Sequence, residues 1–290
     1  MSLTKNKTNN YELSDSLLQD YEIKGIIKME VPEDVLDLKI EFLQECCDFL
    51  KYWKKFTTTP ERLVYDIVEL AKKDREIIGK LYKVSKRFTS IRKLSCHPFF
   101  VDISKQLMNT QMISCFHLSI IRVDLPSEES FLMPPHQDFP YVQGSINGVT
   151  VYFGFSDLSS ESGIVSVNEG SHSEGIIEVS ETEERNDPRE DINNKKDGKK
   201  LSTTDKVVEI SDLEKYSNLE YKQEELKFNQ VFFFHTLLLH RSEPNLSNSA
   251  RITAQIRFDD LCNKNSFEKD FPEGRSRDDL FSNNFSEYVK

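Results

Sequence analysis

The residues best suited to chemistry fall in two short stretches far apart in the chain. One is Pro134-Pro135-His136-Gln137-Asp138; the other is His240-Arg241-Ser242, followed by Arg251. His136 and Asp138 are two residues apart, and on an extended strand that spacing puts both side chains on one face. His240, arriving from a distant strand, would complete a set of two imidazoles and one carboxylate. Such a set on one side of a metal is the facial triad of non-haem Fe(II) centres, whose opposite face stays open for a cosubstrate and for oxygen. Arg251 lies 11 residues beyond His240 (251 − 240), in a strand-like run. A guanidinium grips a carboxylate with two parallel hydrogen bonds. A triad with an arginine nearby is therefore what a dicarboxylate that chelates iron requires. His235, five residues before His240, is the competing third ligand; otherwise it is structural.

These side chains need strands to carry them, and from Ile113 the hydrophobic period is two. Ile113–Val123 reads as a strand. In Val149–Phe155, Val149, Val151, Phe153 and Phe155 share one face, and Thr150, Tyr152 and Gly154 share the other. Arg251–Phe258 repeats this, with Ile252, Ala254, Ile256 and Phe258 opposite Arg251, Thr253, Gln255 and Arg257. Apolar outer faces suit packing on helices, and polar inner faces suit a cavity for a charged cosubstrate. Agreement between the two strands points to a double-stranded β-helix.

Upstream the period is helical. A short strand pattern covers 21–31, and Pro32-Glu33-Asp34 opens a helix with apolar residues such as Leu36, Ile40, Leu43, Cys47 and Leu50. Thr59-Pro60-Glu61 carries the signals of a second helix start, with Leu63, Ile67, Leu70, Ile77 and Leu81 as its stripe. A third helix follows Pro98.

Order and spacing of several segments resemble the phytanoyl-CoA dioxygenase family of Fe(II)/2-oxoglutarate-dependent oxygenases. They are Pro135-His136-Gln137-Asp138; the run from Val149 to Asp157 leading to Glu161-Ser162-Gly163; Gly170-Ser171-His172; Phe234-His235; the run from His240 to Asn245; and Arg251 to Phe258. The match runs from about 113 to 259 and is looser upstream. Two departures are Tyr152, where the family often has tryptophan, and Glu169, where a proline usually precedes the Gly-Ser-His.

The resemblance implies a mainly β fold: a double-stranded β-helix (jelly-roll, cupin-like) core with N-terminal helices packed on the major sheet. It implies that His136, Asp138 and His240 hold Fe(II). Arg251, with the Ser242 hydroxyl, would bind the distal carboxylate of 2-oxoglutarate, and Tyr152 and Thr150 would lie beside that cosubstrate. With O2 the implied reaction hydroxylates a small molecule at an unactivated C–H bond and yields succinate and CO2. Asp138 fills the space that related halogenases open for chloride, which favours hydroxylation over halogenation. Desaturation, cyclisation and epimerisation use the same chemistry and stay open. A non-oxidative binding protein or a zinc hydrolase on the same scaffold is the alternative of another class. His172 is a weaker candidate for touching substrate, and His97 and His117 have no supporting context.

At 290 residues the chain reads as a flexible tail over 1–20 and a single domain over 21–290. That domain has a helical part over about 32–110, a core over about 113–259 and a C-terminal tail over 260–290, where Phe267, Phe271, Phe281 and Phe285 are possible anchors. A charged insertion over about 178–217 reads as a solvated surface loop or as a lid over the site.

A net charge of −11 argues against nucleic acid or an anionic membrane as partner, and weakens a broad basic cleft for a coenzyme A thioester. The implied partner is a small molecule: a polar metabolite, a sugar or an amino acid precursor. The five cysteines form no metal-type pairing, which fits a reducing cytoplasm. No apolar run reaches the ~18 residues of a membrane span, and residues 1–10 lack the apolar core of a signal peptide. The sequence carries no statement about oligomeric state.

Overall fold

A computed structural model describes residues 11–116, 119–129, 132–182, 207–273 and 281–290. The 1–10 part of the expected tail, His117 and the 183–206 part of the insertion lie outside these residues.

The major sheet is antiparallel throughout. It contains β1 (Ile26–Glu30), β2 (Ile113–Cys115), β3 (Ile120–Asp124), β4 (Gly148–Gly154), β9 (Gln230–His235) and β11 (Arg251–Asp260). Its order is β1-β9-β4-β11-β2, and β3 also pairs with β11. A smaller sheet has the order β10-β5-β8, from β5 (Ser166–Val167), β8 (Lys222–Gln223) and β10 (His240–Arg241). The ends of the expected insertion pair as a ribbon of β6 (Val179–Thr182) and β7 (Val207–Ile210). The core is thus the double-stranded β-helix, with helices outside it.

Those helices are α1 (Asp15–Lys24), α2 (Glu33–Lys54), α3 (Leu63–Lys73), α4 (Arg75–Ser85), α5 (Thr89–Ser95) and α6 (Pro98–Leu107). The β-strand alternation decides which sheet face they meet. Val149, Val151, Phe153 and Phe155 of the β4 run join Ile252, Ala254, Ile256 and Phe258 of β11 in one apolar core with the helices. Phe155 stacks on Phe42 of α2 at 4.0 Å, and Phe153 on Phe100 of α6 at 5.8 Å. Cys46 and Cys47 are buried in this layer as free thiols. Lys39 is its polar exception: fully buried, it donates to the Phe228 carbonyl, and burial pushes its pKa down to about 7.

Five local readings differ from the structure. Residues 15–24 are helical rather than a tail and the start of the 21–31 strand, because Ser14 caps α1 and Gly25 ends it at φ 73, so that β1 begins only at Ile26. The stripe from Leu63 to Leu81 is two helices, not one. Asp74 at φ −151 leaves α3, then accepts from Ile77 N to cap α4. The helical ladder begins at Leu63, after a turn at 60–62. The strand over 113–123 is split into β2 and β3, which pair with different parts of β11. In the C-terminal segment Phe281 and Phe285 are buried against Phe139, whereas Phe267 and Phe271 are exposed. Among the described residues no helix is long and apolar enough to cross a membrane.

Candidate metal centre

His136 and His240 are brought together by the backbone itself. The two residues form an isolated antiparallel bridge, with His136 N donating to His240 O at 2.9 Å and His240 N to His136 O at 3.0 Å. Asp138 does not continue a strand, contrary to the extended-strand argument. Its backbone turns helical (φ −70, ψ −33) at the start of α7 (Phe139–Val142), and its N–H donates to Thr236 O. The turn still delivers both side chains to one place. Among the described residues, His136, Asp138 and His240 are the group whose ligand atoms all lie within 4.8 Å of one another.

Hydrogen bonding sets the tautomers. His136 Nδ1 faces the Pro134 carbonyl at 2.8 Å, and His240 Nδ1 faces the Leu238 carbonyl at 2.9 Å. A carbonyl only accepts, so each Nδ1 carries the proton and each Nε2 is left as a bare donor of a lone pair. His240 Nε2 is buried with no hydrogen-bond partner among the described residues, 3.9 Å from Asp138 Oδ1. Burial, then the neighbouring His240, pushes His136 down to about 3, and burial pushes His240 down as well. Both imidazoles are neutral at pH 7, ready to ligate. An orphaned lone pair between a second imidazole and a carboxylate is an arrangement that a divalent metal satisfies, so the residues fit the ion.

Asp138 is itself held from behind. Arg257 donates from Nε to Oδ2 at 3.0 Å and from Nη2 to Oδ1 at 2.7 Å, and the Thr150 hydroxyl donates to Oδ2 at 2.7 Å. Burial alone would raise the Asp138 pKa. The Arg257 guanidinium and His240 outweigh it and hold the carboxyl far below the usual range. Thr150, expected beside the cosubstrate, thus serves the metal carboxylate instead. It stands opposite Arg257 in the β4–β11 register.

The triad opens on a cavity of about 90 Å³ whose wall includes Arg122, Asp124, Tyr152, Ser242, Arg251 and Arg257. Arg251 is buried and does have an acidic neighbour: Asp124, its direct cross-strand partner on β3. Arg251 Nε and Nη2 donate to Asp124 Oδ2 at 3.2 and 3.1 Å, and Nη1 donates to the Ser162 and Glu243 carbonyls. Arg122 clasps the same carboxylate at 2.8 and 3.2 Å and reaches Ser242 Oγ at 3.4 Å. Burial would raise Asp124; the two guanidiniums outweigh it and lower it. Gly163, at φ 72, lets the chain pass Arg251, since a Cβ there would sit 2.6 Å from its Nη1.

His235 is not in the cluster. Its Nδ1 accepts from Leu237 N, and its ring lies 5.2 Å from that of His172. His172 faces the Glu22 carbonyl near α1, away from the cavity, and His97 caps α6. Sequence reasoning missed Arg122, Asp124 and Arg257 as site residues, although strand alternation already pointed Arg257 inward.

The sequence profile of the phytanoyl-CoA dioxygenase (PhyH) family matches residues 56–253, more than half of the chain. This chain belongs to the PhyH family. No curated protein matches it significantly. Among solved structures, this PhyH protein is similar to the non-haem α-ketoglutarate-dependent carbocyclase SnoK of nogalamycin biosynthesis. The TM-score is 0.56 and the identity 16%, over 86% of this chain and 84% of that one. The epimerase SnoN, in complex with Fe3+, α-ketoglutarate and nogalamycin RO, matches with TM-score 0.53 and 14% identity over 85% and 83%. EctD from S. alaskensis, with 2-oxoglutarate and 5-hydroxyectoine, matches with TM-score 0.52 and 16% identity over 89% and 80%. At these identities the likeness speaks for the fold of the PhyH chain alone.

Proposed function

We propose that this chain is an Fe(II)- and 2-oxoglutarate-dependent oxygenase that hydroxylates a small molecule at an unactivated C–H bond. The observation that carries the reading is the meeting of His136, Asp138 and His240, with a bare buried Nε2, at the wall of a cavity that also holds Arg251. Iron and 2-oxoglutarate, when bound, supply the activation of oxygen and the cleavage of the C–H bond, with succinate and CO2 as co-products.

The chain's own residues bind and orient. The Pro134 and Leu238 carbonyls fix the imidazole rings, and Arg257 with Thr150 fixes the carboxylate. Arg122 and Arg251 both pair with the carboxylate of Asp124 and place two guanidiniums at that end of the cavity. The distal carboxylate of 2-oxoglutarate would dock on Arg251 there, with Ser242 and Tyr152 alongside. Desaturation, cyclisation or epimerisation would use these same groups, and product analysis separates them from hydroxylation.

Anaerobic addition of Fe(II) and 2-oxoglutarate should give a weak visible charge-transfer band, lost in His136→Ala and in Arg251→Ala, and oxygen should then yield succinate. No band and no succinate would overturn the reading and favour a zinc hydrolase or a binding protein on this scaffold.

A further inference from the structure

A buried glutamine brings two N–H donors and an acceptor that must all be met. Gln137, the residue between His136 and Asp138, is 2% exposed. Its Nε2 donates to the Gly175 and Leu237 carbonyls, each at 2.8 Å, and its Oε1 accepts from Ile177 N at 2.9 Å. Gly175 and Ile177 lead into β6, and Leu237 leads to Leu238, whose carbonyl orients His240. One side chain thus joins the approach to the β6–β7 ribbon to both ligand-bearing stretches.

Tyr141 makes a second link. From α7 its hydroxyl donates to the Val208 carbonyl of β7 at 2.5 Å, and its ring stands edge-on to His136, with centroids 5.6 Å apart and planes at 87°. The apolar contacts follow the same pattern. Val179 of β6 and Val208 of β7 share a buried cluster with Phe139 and Leu237, and Ile177 and Ile210 share another with Leu239. Residues flanking Asp138 and His240 therefore rest on the ribbon. Each of its strands is four residues long, and a two-stranded ribbon by itself is marginally stable at best, so its order depends on this docking.

We propose that the β6–β7 ribbon is a support of the metal centre, and that Tyr141 and Gln137 are positioning residues that couple its docking to metal occupancy. The docked ribbon holds His136 and the Leu237–Leu239 stretch in the places that bring the two imidazoles to Asp138. Coupling between two sites is reciprocal. Whatever affinity the metal loses when the ribbon leaves, the ribbon gains in docking stability when the metal binds. This rests on the metal centre of the oxygenase reading above, and it holds for any divalent ion in the triad.

The test is amide hydrogen exchange of the full chain, with and without saturating Mn(II), read by mass spectrometry on peptides covering 179–182 and 207–210. Neither 2-oxoglutarate nor oxygen is needed. Residues that hold a metal ligand typically matter 10–100-fold in affinity, so Mn(II) should slow exchange in the ribbon by about tenfold and leave α2, in the outer layer, unchanged. Tyr141→Phe keeps the ring and loses the bond to Val208. Its Mn(II) affinity, from equilibrium dialysis, should fall, and the slowing of ribbon exchange by Mn(II) should shrink by the same factor. Ribbon exchange that ignores Mn(II) in the wild-type protein would overturn the proposal without recourse to any variant. Equal slowing of the ribbon and α2 would overturn it too, because the metal would then stabilise the whole fold and not this contact. So would a Tyr141→Phe protein with normal Mn(II) affinity and full slowing, in which Tyr141 would only pack. A protein that binds Mn(II) but gives no charge-transfer band strikes the oxygenase reading alone; a protein that binds no Mn(II) strikes the metal centre, and this inference with it.

Discussion

Two arginines stand six residues apart on β11 (257 − 251), and each clasps a buried aspartate through Nε and Nη2. The two clasps have different jobs. Asp124 sits between Arg122 and Arg251, and the remaining Arg251 nitrogen is tied to two backbone carbonyls. That junction ties β3, β11 and the Ser162-Gly163 turn together. Asp138 has one arginine and one hydroxyl behind it and two imidazoles in front. Its clasp is open towards the imidazoles, and among the described residues Arg257 Nη1 has no hydrogen-bond partner. The same pair of residue types therefore makes a structural knot at one end of the strand and a ligand support at the other. What separates them is how many donors are left over.

The sharpest way to break this comparison is to remove each carboxylate. Asp124→Ala removes the carboxylate that both buried guanidiniums share, and breaking a buried pair from one side costs about 3–5 kcal/mol. Asp138→Ala strands only Arg257 but deletes a metal ligand. Urea unfolding with and without Mn(II) reads both effects. Asp124→Ala should show the larger loss of stability and keep its stabilisation by metal; Asp138→Ala should lose the metal response altogether. If Asp124→Ala also loses that response, the two clasps are one coupled network and the distinction fails.

A smaller effect comes from the arginines. Residues that hold a metal ligand typically contribute 10–100-fold in metal affinity. Arg257→Gln should weaken Mn(II) binding by about that factor, measured by equilibrium dialysis. Arg251→Gln should leave metal affinity within a few-fold and weaken 2-oxoglutarate instead, in titrations of the charge-transfer band. Interchanged outcomes would reassign the two ends of the cavity.

How far the sequence carries one towards this picture follows from what each signal encodes. Period two in Val149–Phe155 and Arg251–Phe258 reports a face, and both faces are as the alternation says. Residue type and order brought His136, Asp138 and His240 together correctly, yet the backbone that joins them is a bridge and a helical turn rather than a strand. Arg257 was visibly inward, but its partner depends on where the 134–138 loop crosses the sheet, which no local pattern states. Asp124 is 127 residues from Arg251, and only the β3–β11 register sets them opposite each other. The break at Asp74 was closer to hand. A residue that ends one helix and caps the next by its own carboxylate has a local signature, hidden here because the apolar stripe continues across it.

A third buried acid, Asp259 on β11, sharpens the contrast, because no guanidinium clasps it. Asp259 is buried, accepts from Ser145 N at 3.2 Å, and is pushed up to about 7 by that burial, against the opposing pull of Ser145 and of Arg257. Asp124 and Asp138, each held by a guanidinium fork, shift down; Asp259, which has none, shifts up. An aspartate whose folded pKa exceeds its unfolded value of about 3.9 binds more protons folded than unfolded between those values. Its contribution to stability is therefore full below about pH 4 and is lost as pH rises to about 7. His136, at about 3, and His235, at about 4, act in the opposite sense, losing stability as pH falls below about 6.5. Comparing Asp259→Asn with the wild type at each pH cancels the histidines. Asparagine relieves a charge penalty of at most ~4 kcal/mol at pH 7.5, and adds an unpaired amide costing about 1–3 kcal/mol. The variant should be more stable than the wild type by about 1 kcal/mol at pH 7.5 and less stable at pH 4.5, where little penalty remains to relieve. A difference independent of pH would mean that Asp259 is ionised in the fold like its clasped neighbours, and that burial without a guanidinium does not set its state.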